Sequence, residues 1–221
     1  MAAPQRLVLP STQATFDELA PVARTLLDGG LVACPTQTFY ALMALVDTPK
    51  ALERLTRLKG LEARRQKPFL ILIDQPGRIH CYAREVPEEA AGLMAGFWPG
   101  SLTLLLLAQN GLHPSLVGPA RTVGVRVEEL ELVRRLVRMV DRGLTGTSAN
   151  PPGQPPATTA DQVAAYFGDQ LDLIIDAGPT PGGQPSTIID ASLGAPRILR
   201  DGGLPLNELI QACPILRFKA D

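Results

Sequence analysis

Apolar runs too short to be helices, each fenced by proline, glycine or polar residues, recur along this chain and limit what it can fold into. Phe69 to Ile73 lies between Lys67-Pro68 and Asp74-Gln75-Pro76-Gly77. A run of that length fits a buried strand, because a helix needs about ten residues or more. Leu102 to Leu107 and Thr122 to Val127 read the same way, as do Leu31 to Cys34, Leu144 to Thr147, Leu173 to Asp176, Thr187 to Asp190 and Arg197 to Leu199.

Helical segments fall between these strands. From Thr15 to Leu27 the residues Phe16, Leu19, Ala20, Ala23, Leu26 and Leu27 recur at helical spacing, and Gly29-Gly30 supplies a left-handed stop. Pro49 to Leu58 repeats the pattern, with Asp47 and Thr48 available as caps. Pro87 to Phe97 is helical and is halted by Trp98-Pro99-Gly100, while Glu129 to Val140 carries Arg134, Arg135 and Arg138 on its solvent side. Leu206 to Ala212 can form a closing helix. The alternation predicts an α/β fold, with helices packed on a mixed sheet. One domain spanning 1–221 is expected, its core over about 7–204 and its last helix reaching to 213.

Charge and cysteine usage narrow the chemistry. The net charge is −1, so an anionic partner must be met by a local basic patch. Cys34, Cys81 and Cys213 form no CxxC pair, and His80 and His113 lie far apart, so neither a zinc site nor a disulfide framework is indicated. With no apolar run long enough to span a bilayer and no leader pattern, a cytoplasmic protein with no membrane partner is expected.

Polar side chains gather where strands end. Pro35-Thr36-Gln37-Thr38 follows a buried strand and precedes Phe39-Tyr40-Ala41-Leu42. It reads either as a ligand-binding strand end or as a turn whose threonines bond to local backbone. The stretch Arg54 to Lys67 sets Arg54, Arg57, Lys59, Arg64, Arg65 and Lys67 against Glu62. It suits a triphosphate or RNA phosphates, or else a solvated helix end whose cations complement the macrodipole. Thr147-Ser148-Ala149-Asn150 is either a nucleotide or carboxylate site or a cap. After it, Ser148 to Pro156 holds four prolines and a glycine and reads as a loop. Thr122 to Arg126, Gln184 to Thr187 and Ile198 to Gly202 each put an Arg or Ser at a strand terminus. Each has a structural alternative: a surface ion pair, a capping serine, or an arginine before a turn.

Taken in order, PT-x-T, a lysine further on, W-P-G, V-x-V-R, S-A-N, a P-S-T pair and L-R-x-G resemble the YrdC/YciO family over roughly Leu7 to Leu204. The resemblance implies a YrdC-like twisted, open mixed sheet with flanking helices and a large concave pocket. It also implies a threonylcarbamoyl-AMP synthase acting in t6A modification of tRNA. Bicarbonate and L-threonine would form N-carboxy-threonine, whose carboxylate attacks the α-phosphate of ATP and expels pyrophosphate.

Carried over by motif, Thr36 and Ser148 would contact the threonine, Arg126 would pair with its carboxylate, and Ser186 would close that subsite. Tyr40 would line the pocket floor. Lys59 and Arg200 would face the phosphates, helped by Arg64, with Asn150, Thr158 and Thr122 along the nucleotide. Lys59, Arg126 and Arg200 would be the catalytic cations; no side chain would ligate a metal, and Mg²⁺ would come with the ATP. Threonylcarbamoyl transferase proteins, and tRNA through the Arg54 to Lys67 patch, are the implied partners.

Four positions depart from the family pattern. Gln37 stands where synthases usually have glutamate, and Lys59-Gly60-Leu61 lacks the arginine of K-x-R, which Arg64 or Arg65 would have to replace. Tyr40-Ala41 replaces tyrosine-glycine, as in the YciO branch, and Pro152 stands where S-A-N-x-S-G has its second serine. Two other functions therefore stay open: a paralogue that binds or hydrolyses ATP without threonine chemistry, and an RNA-binding module.

Overall fold

The computed structural model describes residues 4–10, 12–60 and 67–218. In its first half the chain forms β1 (Gln5–Val8), α1 (Phe16–Leu27), β2 (Val32–Pro35), β3 (Tyr40–Met43), α2 (Pro49–Leu58), β4 (Ile71–Ile73) and α3 (Glu88–Phe97). The middle contributes β5 (Leu102–Leu107), β6 (Thr122–Val127), α4 (Glu131–Val140), β7 (Leu144–Thr145) and β8 (Thr147–Ser148). Then come α5 (Ala160–Phe167), β9 (Leu173–Asp176), β10 (Thr187–Asp190), β11 (Arg197–Arg200), α6 (Leu206–Ala212) and β12 (Arg217–Phe218).

The expected mixed sheet is realised as two. One has the order β1-β9-β2-β3-β8, the other β12-β11-β10-β5-β6-β4-β7. The strand predicted over Leu144 to Thr147 divides between them, because β7 pairs with β4 in one sheet and β8 with β3 in the other. The crossing occurs at Gly146, where a Cβ would lie 2.8 Å from the Leu72 side chain. Only glycine lets the backbone pass that close.

Period-two alternation lets the first sheet serve two cores. Val32, Cys34, Ala41, Met43, Leu173 and Ile175 face a layer built by α1 and α4. Ala33, Leu42 and Ile174 face the larger core, which includes Leu52 and Leu55 of α2, Leu93 of α3 and the apolar side chains of β5 and β6. Thr15 caps α1 in a reciprocal box: its hydroxyl accepts from Glu18 N, and the Glu18 carboxylate accepts from Thr15 N. Thr48 occupies the N-cap of α2 but makes no side-chain capping bond, so Pro49 at the first helical position carries that start. Among the described residues, no helix is long and apolar enough to cross a membrane.

Candidate active site

Topology gathers four strand termini on one edge of the larger sheet. β5 runs antiparallel to β6 and parallel to β10, and β10 runs antiparallel to β11. The starts of β5 and β10 therefore lie beside the ends of β6 and β11. Leu104 pairs with Val125, so the next position along brings Thr103 beside Arg126. Thr103 and Ser186 hydroxyls lie 2.9 Å apart, and Arg200 donates to the Ser186 carbonyl at 2.9 Å and to its hydroxyl at 3.1 Å. Arg200 loses some of its ordinary basicity, first to burial and then to repulsion from Arg126.

The turn between β2 and β3 closes this edge. Ser101 Oγ donates to Gln37 Oε1 at 2.9 Å, and Arg126 Nη2 approaches the same oxygen at 3.4 Å. Arg126, 5 % exposed, is paired at 2.7 Å with Glu128, which is 1 % exposed and also accepts from Gln37 N at 3.2 Å. Arg126 Nε is buried with no hydrogen-bond partner among the described residues. A buried guanidinium N–H left open is a standing site for an acceptor, since an unsatisfied buried donor costs about 1–3 kcal/mol.

A second polar group forms where α2 ends. Lys59 follows its last turn and is 9 % exposed, so it is not a solvated helix end. Its Nζ donates to the Ser148 carbonyl at 2.8 Å, the Asn150 carbonyl at 2.5 Å and Asn150 Oδ1 at 3.0 Å. Burial pulls the Lys59 pKa down to about 8. Ser148 Oγ donates to Asn150 Oδ1 at 2.6 Å, and Asn150 Nδ2 donates to the Gln154 carbonyl at 2.6 Å. Ser148 pairs with Ala41 of β3, so both polar groups border the same β2–β3 hairpin.

The remaining expected residues fall into place unevenly. Thr36 is half-buried, but its hydroxyl donates to the Phe39 carbonyl at 2.7 Å, the local turn bond that was the alternative reading. Tyr40 is buried and donates to the Gly178 carbonyl at 2.8 Å. Thr158 donates through its backbone N–H and its hydroxyl to Gln162 Oε1, which places it at the start of α5. Thr122 is not brought to the cluster. It opens β6 while Arg126 is near its end, roughly 13 Å along an extended strand, and it neighbours Gly118. Arg64 and Arg65 lie outside the described residues.

The L-R-x-G glycine has a steric reason. A Cβ on Gly202 would lie 2.4 Å from both the Pro185 oxygen and Thr187 N, so this backbone must press against the P-S-T segment that carries Ser186. Beside the Pro35 to Gln37 turn opens a hollow of about 410 Å³, walled by Glu129 to Glu131 and Ala177 to Pro181. Ser101, Thr103 and Glu128 escaped the motif reading. Carrying the alternation one residue past the end of β6 could have found Glu128, two positions on from Arg126.

The basic patches are partly spent inside the protein. Arg54 pairs with Asp172 at 2.6 Å and donates to the Gln170 carbonyl. Arg134, Arg135 and Arg138 all converge on Glu131, and Arg135 also donates to the Ala14 carbonyl. Those four arginines are therefore engaged within the protein.

The fold is that of an α/β protein whose strand termini bring buried arginines, hydroxyls and amides together. The chain belongs to the Sua5/YciO/YrdC family, whose model, described as telomere recombination, matches residues 24–202. It is 38% identical over 182 residues to a threonylcarbamoyl-AMP synthase of Pyrococcus abyssi, covering 82% of this chain and 53% of that protein. It is 31% identical to the Bacillus subtilis protein of the same name over 87% of this chain and 55% of that one. The chain thus spans about half the length of these two relatives. Against Thiobacillus denitrificans threonylcarbamoyl-AMP synthase, 34% identity extends over 78% of this chain and 89% of the relative. P. abyssi Sua5 complexed with L-threonine superposes with a TM-score of 0.88 at 33% identity, over 98% of this chain and 62% of that one. E. coli YciO shares the fold, with a TM-score of 0.84 at 23% identity over 93% of this chain and 99% of that one.

Proposed function

We propose that this chain condenses L-threonine, bicarbonate and ATP to threonylcarbamoyl-AMP and pyrophosphate, the product then passing to a transferase that modifies tRNA. The observation that carries this reading is the open Nε of buried Arg126, set among the V-x-V-R, P-S-T and L-R-x-G segments. The L-threonine complex of P. abyssi Sua5, a structure of the same fold, supports an amino acid as the ligand.

In the first step the threonine amine adds to the carbon of bicarbonate, and loss of water leaves a carbamate. One carbamate oxygen then forms a bond to the α-phosphorus as the bond to the pyrophosphate oxygen breaks. Neither step needs a covalent enzyme intermediate. The work left to the protein is alignment and charge neutralisation. Arg126 takes the α-carboxylate through its unpartnered N–H, with Ser186 and Ser148 at the edges of the subsite. Thr36 is still able to accept a hydrogen bond, because its hydroxyl hydrogen alone is spent. Arg200 faces the phosphates. Lys59 holds the Ser148 to Asn150 loop and adds its charge from beneath, since a phosphate must displace one of its three protein oxygens to meet it directly. The S-A-N and Thr158 segments run along the nucleotide, and the hollow beside Thr36 and Gln37 adjoins the turn that meets Arg126.

Among the described residues, no three His, Cys, Asp or Glu side chains come together as a metal site. A Mg²⁺ arriving with the triphosphate would take its oxygens largely from phosphate and water, as Mg²⁺ usually does. Pyrophosphate release measured with all three substrates, and with each omitted in turn, tests the reaction. Release that requires both L-threonine and bicarbonate is expected; equal release without threonine would mean that the chain hydrolyses ATP instead.

A further inference from the structure

We infer that Glu128, which directly follows β6, is a positioning carboxylate of the threonine subsite. The inference rests on the proposed synthase function. Gln37 sets only an uncharged amide oxygen beside Arg126. The negative charge there comes from Glu128, just past the end of β6. Glu128 and the Gln37 side chain both face Arg126, Glu128 at 2.7 Å and Gln37 Oε1 at 3.4 Å, and the Glu128 carboxylate also receives the backbone N–H of Gln37 at 3.2 Å.

Charge counting explains why one carboxylate is wanted here. Arg126 and Arg200 are close enough for their charges to repel, and Glu128 leaves the group with one net positive charge. With Arg200 turned to the phosphates, the α-carboxylate is left to the open Nε of Arg126. Two carboxylates would neutralise the group before the ligand arrived, and none would leave a buried arginine unpaired. Geometry adds a second contribution: Glu128 holds Arg126 by Nη2, so the guanidinium is fixed in a plane with its Nε unpartnered.

The test is a relocation of charge. Glu128→Gln, Gln37→Glu and the double variant are titrated with L-threonine and with ATP beside the unchanged chain. Each single variant should weaken L-threonine by about tenfold or more while ATP binding moves by less than about twofold, and the double variant should recover to within about threefold of the parent. A merely structural role would make the two losses add rather than cancel. If Glu128→Gln does not fold, the double variant still decides, because it should fold and bind. A parent that binds L-threonine indifferently to Glu128, or a double variant as weak as the singles, overturns the inference alone. A parent that binds no L-threonine overturns the synthase reading along with it.

Discussion

Lys59 and Arg126 are both buried cations contributed by motif segments, yet Lys59 has all three ammonium hydrogens on protein oxygens while Arg126 Nε has no partner among the described residues. The first arrangement is complete without a ligand. It ties the end of α2 to the Ser148 to Asn150 loop and gains nothing from an anion unless an existing bond is exchanged. The second is incomplete, and an arriving carboxylate removes a desolvation cost of about 1–3 kcal/mol rather than competing with the protein. A saturated cation shapes a site, whereas an unsaturated one selects its occupant.

Removing Arg126 should break this contrast most severely. Arg126→Ala leaves Glu128 buried without its ion-pair partner, a loss of about 3–5 kcal/mol in stability. Urea unfolding should register that loss, and calorimetric titration should show L-threonine weakened by about 100-fold or more with a much smaller effect on ATP. Equal effects on the two ligands would place Arg126 outside the threonine subsite.

Gly202→Ala should act next most strongly, through the backbone. The added Cβ meets main-chain atoms of Pro185 and Thr187 rather than a yielding side chain, so β10 or β11 must shift. A loss of about 1–3 kcal/mol is expected. Ser186 lies within the displaced segment, so L-threonine affinity should fall in parallel. A variant as stable as the parent would show that the approach of these two segments is not needed.

Much of this was legible in the residues themselves. α2, β5, β6, β9, β10 and α6 follow the expected limits because proline, glycine or charged residues fence each apolar run. β3 was hidden because its apolar residues directly follow the PT-x-T turn, leaving no breaker to mark a new strand. β1, α5 and the two-residue β12 also went unread, since such short or weakly patterned pieces take their structure from neighbours. Gly146 looked like part of one strand, and sequence period alone cannot show that the chain changes sheets there. In the site, Arg126, Ser186 and Arg200 could be placed by motif, as could Lys59, Ser148 and Asn150. What the motifs could not convey was which donors the protein itself consumes. That depends on partners distant in sequence, such as Ser101, Thr103 and Glu128 around Arg126.

The smallest effect sharpens the contrast through pH. Burial lowers the Lys59 pKa to about 8, whereas an unfolded chain leaves it at the ordinary 10.5. Below pH 8 the charged lysine is buried at full cost; as pH rises from about 8 toward 10.5 the folded state sheds its proton first, so this cost is relieved and Lys59's contribution to stability improves. ATP affinity should move the opposite way. Lys59 is roughly nine-tenths protonated at pH 7 and one-tenth at pH 9, so affinity should fall by at most about tenfold over that interval. Titrations of the parent and of Lys59→Met at both pH values separate this lysine from other groups: the parent should lose affinity, and the variant, weaker throughout, should lose little more. A variant that keeps the parent's full pH dependence would remove Lys59's charge from the ATP subsite, leaving it only the Ser148 to Asn150 loop to hold.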